Sequence, residues 1–224
     1  MNKELVLAHL GMGTGRTQPF DQIYKGEYVR PEDIKSGDIK LDALVVWGGE
    51  DISPSLYGDR VADLCGARDS LSYRDRIEAA AMAEAIERNI PIIGVCRGAQ
   101  LLCAVAGGRL IQHVNGHTRS HSITTYDGRK IISSSVHHQM MYPFDVDHKM
   151  IAWATDKLSD VHIIGTNEDD PLMEHHVEPE IVWFPKIKGL AIQGHPEFHN
   201  PTDEFVGYCM DLVRKFILGE DQVS

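Results

Sequence analysis

No stretch of this chain approaches the roughly 20 consecutive apolar residues of a membrane-spanning helix. The apolar run at Leu5–Leu10 is short and soon interrupted, which also speaks against a secretory leader. Cysteine is scarce: Cys65, Cys96, Cys103 and Cys209 are all there is, with no C-x-x-C pair. Neither a zinc framework nor a disulfide framework is indicated. That usage fits a reducing compartment, so the expected location is the cytoplasm. Basic residues are outnumbered, 22 Lys and Arg against 33 Asp and Glu, for a net charge of −11. A general nucleic-acid surface needs clustered Lys and Arg, so that class of partner is not expected; a small basic pocket remains open. No membrane partner is expected either. Internal repeats and low-complexity tracts are missing.

What remains is an ordinary globular composition. The 224 residues are 42% hydrophobic and 25% charged, enough apolar material for a full core, and the expected organisation is one domain over residues 1–224. Leu5-Val6-Leu7-Ala8 reads as a first strand. Gly11-Met12-Gly13-Thr14-Gly15 lacks both the P-loop ending and the full dinucleotide fingerprint, so it reads as a turn. Residues 16–40 are polar and carry no period. Leu41–Trp47 is a buried-strand pattern ending in Gly48-Gly49. Tyr73–Asn89 reads as a helix with an apolar face of Ile77, Ala80, Ala81 and Ala85. A strand at 92–95 and a helix from Ala99 to about Ala106, stopped by Gly107-Gly108, follow. Strand–helix–strand–helix implies a parallel α/β sheet with its ligand crevice at the strands' carboxyl ends.

After Arg109 the pieces are short and strand-like: His121–Tyr126, Lys130–Ser134, Met150–Ala154 and His162–Gly165. They read as an antiparallel portion, with Tyr126-Asp127-Gly128-Arg129 as a hairpin turn. Glu180–Phe184 and Gly189–Gln193 read as a hairpin across Pro185–Lys188. A closing helix runs to about Leu218, with Thr202 or Asn200 as its expected cap.

Gly94-Val95-Cys96-Arg97-Gly98 has the spacing of a nucleophile elbow. Glycines let the chain turn sharply from strand to helix. The turn exposes the Cys96 sulfur beside free helix N–H groups, which favour the nucleophilic thiolate. A buried cysteine ending a core strand is the plainer alternative. A reactive thiol needs a base and a group to orient that base. In His195-Pro196-Glu197, Pro196 keeps His195 extended, and residues two apart in an extended segment face the same way. Glu197 then reaches one ring nitrogen of His195 while the other faces Cys96.

Gly94–Leu102 and Gln193-Gly194-His195-Pro196-Glu197 resemble the two signatures of class I glutamine amidotransferases. Trp47–Gly58 is similar to a motif of the γ-glutamyl hydrolase-like (peptidase C26) branch. Arg74-Asp75, Gly107-Gly108-Arg109-Leu110 and Ser135-Val136-His137-His138-Gln139 also resemble that branch. The resemblance runs in order from about residue 41 to 200. It implies an α/β fold of flavodoxin-like, class I glutaminase architecture: a mostly parallel central sheet with flanking helices and a nucleophile elbow, plus a smaller antiparallel portion. It implies Cys96 as nucleophile, His195 as base then acid, and Glu197 as its orienter. The backbone N–H groups of Gly49 and Arg97 are the implied oxyanion hole. Gln100, Gly48 and His137 are the implied substrate contacts, while Asp51 and Tyr57 hold the loop after Gly49. The implied reaction cleaves a γ-glutamyl amide through a thioester, with no cofactor and no metal. Implied partners are a small γ-glutamyl substrate and, for the ammonia, a separate synthetase or other acceptor; self-association stays open.

The sequence departs from the branch at Ser133-Ser134-Ser135-Val136, where Asn-Ser is usual, and follows it only loosely at Ile111–His117. Asn167–Glu180 is acidic and has no match, so acceptor or partner preference is expected there. Adjacent strand residues face opposite ways, so neither His137-His138 nor His175-His176 is expected to chelate a metal. His113, His117 and His121 recur every four residues, but Asn115-Gly116 between them favours a polar loop. Cys65, Cys103 and Cys209 read as structural. Three functions follow: glutamine amide hydrolysis feeding a synthetase, stand-alone γ-glutamyl hydrolysis, or a non-catalytic binding protein with the same fold.

Overall fold

The computed structural model describes residues 6–10, 19–28, 30, 33–34, 40–200 and 203–220. The Gly11–Gly15 turn and Thr202 lie outside them. Strands β1 (Val6–Leu10), β2 (Lys25–Tyr28), β3 (Ala43–Val46) and β4 (Ile92–Val95) are joined by β13 (Gly189–Ile192) in one parallel set. Four antiparallel strands extend it: β12 (Pro179–Phe184), β10 (Lys149–Ala154), β7 (His121–Thr125) and β8 (Lys130–Ser133). Among the described residues the main sheet therefore has nine strands, ordered β2-β1-β3-β4-β13-β12-β10-β7-β8. The parallel and antiparallel portions share one sheet, and the β12–β13 hairpin is the seam where direction reverses. Two small antiparallel pairs stand apart, β5 (Arg109–Ile111) with β9 (Met140–Tyr142) and β6 (His113–Val114) with β11 (His162–Ile163).

Both faces of the parallel part are covered, which is why β3, β4 and β13 are apolar throughout rather than alternating. One face carries Leu44, Val46, Ile92 and Ala191 under α1 (Tyr73–Glu87) and α2 (Arg97–Val105). The other carries Val45, Ile93, Val95 and Ile192 under α3 (Glu204–Leu212). The cap of α3 is Asp203 rather than Asn200, and the helix runs on as a π-helical turn, Val213–Ile217.

Helix α1 starts at a full capping box. The Ser72 hydroxyl accepts from the Asp75 N–H, and the Asp75 carboxylate accepts from the Ser72 N–H. Its buried face is turned from the expected one: Asp75, Glu78, Ala81, Met82 and Ala85 go inside, while Ile77 and Ala80 are only half-buried. Two carboxylates can be buried there because Arg97 meets both. Helix α2 begins at Arg97, two residues before the expected start, and Gly107 at φ +93° ends it.

Gly98 lies so close to β3 that a Cβ there would sit 1.9 Å from the Val46 carbonyl oxygen. Gly98→Ala is expected to lower stability by about 1–3 kcal/mol or more, read as a lower urea midpoint. Gly207, inside α3 with open space around it, makes the control: Gly207→Ala should raise stability by about 0.5–1 kcal/mol.

Candidate active site

The elbow is built by two glycines. A Cβ at Gly94 would lie 2.4 Å from the Gly98 carbonyl oxygen, and Gly98 itself abuts Val46, so α2 packs its first turn directly on β3 and β4. Between them Cys96 sits at φ +50°, ψ −109°, a strained conformation for a residue with a side chain. Its N–H donates to the Ile192 carbonyl at 2.8 Å and its carbonyl accepts from the Gln100 N–H at 3.1 Å. Arg97 opens the helix, so its backbone N–H has no partner within α2. The Arg97 side chain is buried, ion-paired to Asp75 at 2.6 Å and to Glu78. Glu78 also accepts from Arg74 at 2.8 Å, and Arg74 donates to the carbonyls of Trp47 (3.1 Å) and Gly48 (2.9 Å). One ionic cluster thus ties the elbow, α1 and the Gly48-Gly49 turn together. Gly49 is at φ +155°, where a Cβ would fall 2.1 Å from Arg74 Nη1.

His195 follows β13, on the strand beside β4. A Cβ at Gly48 would contact both His195 Cε1, at 3.0 Å, and the Cys96 Cβ, at 3.4 Å. The three residues therefore converge. His195 Nδ1 is 2.8 Å from Glu197 Oε1, the ring stacks on Phe198, and Nε2 is buried without a hydrogen-bond partner. Burial works against a charge on His195, but the neighbouring Cys96 and then Glu197 outweigh it and raise its pKa to about 9. The Ser134 hydroxyl accepts from the His195 N–H (3.0 Å) and donates to its carbonyl (2.8 Å). Ser134 belongs to the segment that departs from the resemblance, and here it clamps the His195 backbone.

The remaining expected contacts lie behind this centre. Gln100 is buried and donates to the Gln139 carbonyl at 3.1 Å. His137 is buried as well, with Nδ1 2.8 Å from the same carbonyl and its other edge toward Glu180. Asp51 accepts from the Gly66 N–H at 2.8 Å and pairs with His138, so it does brace the loop after Gly49. Tyr57 is half-buried there. A cavity of about 370 Å3 opens one residue beyond Gly49, lined by Glu50, Asp51, Arg68, Ser70, Ser72 and Asp75, among others.

Peptidase C26 is the family whose profile matches this sequence, over residues 29–168, more than half of the chain. The chain belongs to the peptidase C26 family. This C26 chain is 44% identical over 197 residues to the glutamine amidotransferase-like protein YvdE of Lactococcus lactis, covering 79% of this chain and 74% of that protein. Its fold resembles that of PurLQS from Thermotoga maritima, with TM-score 0.58 at 18% identity over 97% of this chain and 98% of that one. It also resembles the glutaminase domain of Trypanosoma brucei CTPS with bound acivicin, with TM-score 0.58 at 15% identity over 98% and 96%. Among the described residues no helix of the C26 chain is long and apolar enough to cross a membrane.

Sequence reasoning missed the Arg74–Asp75–Glu78 support, although Ser72 and Asp75 stand at capping-box spacing and Arg74 and Glu78 four apart. It also missed a buried histidine–carboxylate cluster. His117, expected in a polar loop, is fully buried between Glu178 and Glu180, its two nitrogens 3.1 and 3.2 Å from them. His121 and His162 reach Glu180 and Glu178 at 2.8 and 3.1 Å. Glu178 and Glu180 end the acidic segment assigned to acceptor preference; both are buried instead. Burial alone would raise their carboxyl pKa values, yet hydrogen bonds from these histidines hold both below the ordinary range.

Removing the Ser134 hydroxyl leaves the buried His195 N–H unpaired, while the His195 carbonyl keeps the Phe198 N–H at 3.1 Å. Ser134→Ala is expected to cost about 1–3 kcal/mol of stability, read by thermal unfolding, with an unchanged midpoint as the contrary result.

Proposed function

We propose that this chain is a cysteine-dependent amidohydrolase that cleaves the γ-amide of glutamine. The observation that carries the reading is the convergence of Cys96, His195 and the Gly48-Gly49 turn at the carboxyl ends of three adjacent parallel strands. His195 takes the Cys96 thiol proton, and the sulfur attacks the γ-carbonyl carbon. The N–H groups of Gly49 and Arg97 hold the oxyanion that forms, and they act through fixed dipoles at no reorganisation cost. His195, oriented by Glu197, gives its proton to the departing nitrogen, so ammonia leaves and a γ-glutamyl thioester remains. Water then attacks the thioester, His195 takes its proton, and glutamate departs with the thiol restored. Gly48 lines the end that receives the amino-acid moiety, and the buried Gln100 and His137 back it from inside. A separate synthetase is the acceptor this reading calls for.

One feature favours a second reading. The cavity beyond Gly49 is lined by Glu50 and Asp51 with Arg68 beside them, Asp75 being already paired with Arg97. It offers room for an amine larger than ammonia. The enzyme would then act alone on γ-glutamyl amines, by the same covalent chemistry.

Cys96→Ala should abolish release of both ammonia from glutamine and amine from γ-glutamyl amides, measured on the isolated chain. Ammonia release supports the first reading; amine release with little action on glutamine supports the second. Equal activity in the wild type and the variant contradicts both.

The pH dependence follows from His195. With its pKa raised to about 9, the imidazole is protonated below that pH and can protonate the leaving group. Above it the proton is lost, so kcat/KM should fall along an alkaline limb near pH 9. Glu197→Gln removes a carboxylate that favours the imidazolium, so the limb should move to lower pH. A limb that stays in place speaks against this role for Glu197.

A further inference from the structure

In the histidine–carboxylate cluster the proposed reaction uses only His137, as backing, and takes no account of how His117, His137 and Glu180 converge. His117 comes from the β6–β7 connection, His137 from the β8–β9 connection and Glu180 from β12. Their ligand atoms all lie within 4.8 Å of one another, and all three residues are buried. His117 Nδ1, His137 Nε2 and Glu180 Oε2 have no hydrogen-bond partner.

The outer edges of the same groups are fully engaged. His137 Nδ1 faces the Gln139 carbonyl at 2.8 Å, and since a carbonyl only accepts, the ring proton is on Nδ1 and Nε2 presents a lone pair. His117 Nε2 faces Glu178 Oε2 at 3.1 Å and donates there, and Nδ1 is the inward atom, 3.2 Å from Glu180 Oε1. His121 reaches Glu180 Oε1 at 2.8 Å, which leaves Oε2 as the unengaged carboxylate oxygen. The inward atoms of all three groups thus converge in a dry interior, where His137 Nε2 and Glu180 Oε2 have no donor and only a proton on His117 Nδ1 or a bound cation can stand between His117 and Glu180. Each inward histidine is held from behind by a carboxylate or carbonyl, as metal-bound histidines are.

We propose that His117, His137 and Glu180 bind one divalent transition-metal ion of the zinc class. Two imidazoles and one carboxylate suit such an ion. Zn–ligand bonds of about 2.0–2.1 Å in a tetrahedron separate neighbouring ligand atoms by roughly 3.3 Å. The Glu180 carboxylate already lies about that far away: its Oε1, which His121 also meets, is 3.2 Å from His117 Nδ1 and 3.8 Å from His137 Nε2. The sequence argument against chelation holds for adjacent pairs only. His138 does diverge, to Asp51 at 3.0 Å, while His137 finds its co-ligands on other segments.

The role assigned to the ion is structural. The Glu180 carbonyl accepts from the Gln193 N–H at 2.8 Å, two residues before His195. The Gln139 carbonyl that holds His137 also receives Gln100 from α2. The Ser135 hydroxyl, beside the Ser134 clamp, donates to the His117 carbonyl. The ion therefore pins the antiparallel portion to the end of the sheet that carries the proposed active site. The proposal does not depend on which reaction is catalysed there.

The test uses the full chain with Cys96→Ala, so that the elbow thiol is not a competing ligand. After EDTA treatment and its removal, Zn2+ is titrated against a chromophoric chelator, and metal in untreated protein is counted by mass spectrometry. One Zn2+ per chain is expected, with at least tenfold weaker binding in Glu180→Gln and in His137→Ala. His113→Ala, which alters the other histidine pair, should bind as tightly as its parent. Should the Glu180 or His137 variant fold poorly, Co2+ in the parent protein gives the answer: intense visible bands of a four-coordinate site support the proposal. Absence of stoichiometric metal, or binding lost in His113→Ala and retained in Glu180→Gln, overturns it.

Discussion

Everything at the proposed site depends on how closely α2 approaches the ends of β3 and β4. Gly98 sits against the Val46 carbonyl and Gly94 against the backbone of Gly98, and no side chain fits at either place. That contact forces the intervening Cys96 into positive φ, a conformation that surrounding packing must maintain. The buried Arg97 supplies the restraint. Its guanidinium joins Asp75 and Glu78 on α1, so the elbow helix cannot turn without breaking two buried ion pairs. Losing one partner of such a pair typically costs about 3–5 kcal/mol. Glu78 passes the restraint through Arg74 to the carbonyls of Trp47 and Gly48, so one ionic cluster positions both the thiol and the adjacent turn.

The base arrives by a different route. β13 is parallel to β4 on one side and antiparallel to β12 on the other. His195 therefore leaves the sheet at the same end as Cys96, while the antiparallel strands bring Ser134 up to fix its backbone. The two halves of the sheet thus have separate tasks. The parallel half presents the thiol and the turn; the antiparallel half secures the histidine and, through the His117–Glu180 cluster, is itself secured.

The elbow was legible because its glycines answer to backbone distances that any strand-to-helix turn of this kind imposes. His195 and Glu197 were legible as a pair from their spacing, but they meet across the 3-10 turn Pro196–Phe198 and not along the extended segment expected. The β12–β13 hairpin and α1 were legible from their apolar runs. What escaped was buried polarity. Asp75 and Glu78 lay outside the apolar face expected for that helix, and only their joint contact with Arg97, 22 and 19 residues away, puts them inside. His117 looked like a loop residue because Asn115-Gly116 does mark a turn; its two carboxylate partners lie some 60 residues further on. Glu178 and Glu180 looked like part of an acidic surface segment. Strands β5, β6 and β9 are too short to carry a period. Long-range polar pairing leaves no periodic trace in one sequence.

The central claim is that Cys96 carries the γ-glutamyl group during turnover. The most direct measurement mixes the protein with glutamine or a γ-glutamyl amide, quenches in acid within the first turnovers, and maps the adduct by peptide mass spectrometry. A single glutamyl group on the peptide containing Cys96, lost again as glutamate on longer incubation and accumulating in no Cys96→Ala sample, is the predicted result. Turnover with no adduct on that peptide in the wild type, or an adduct on Cys65 instead, contradicts the account.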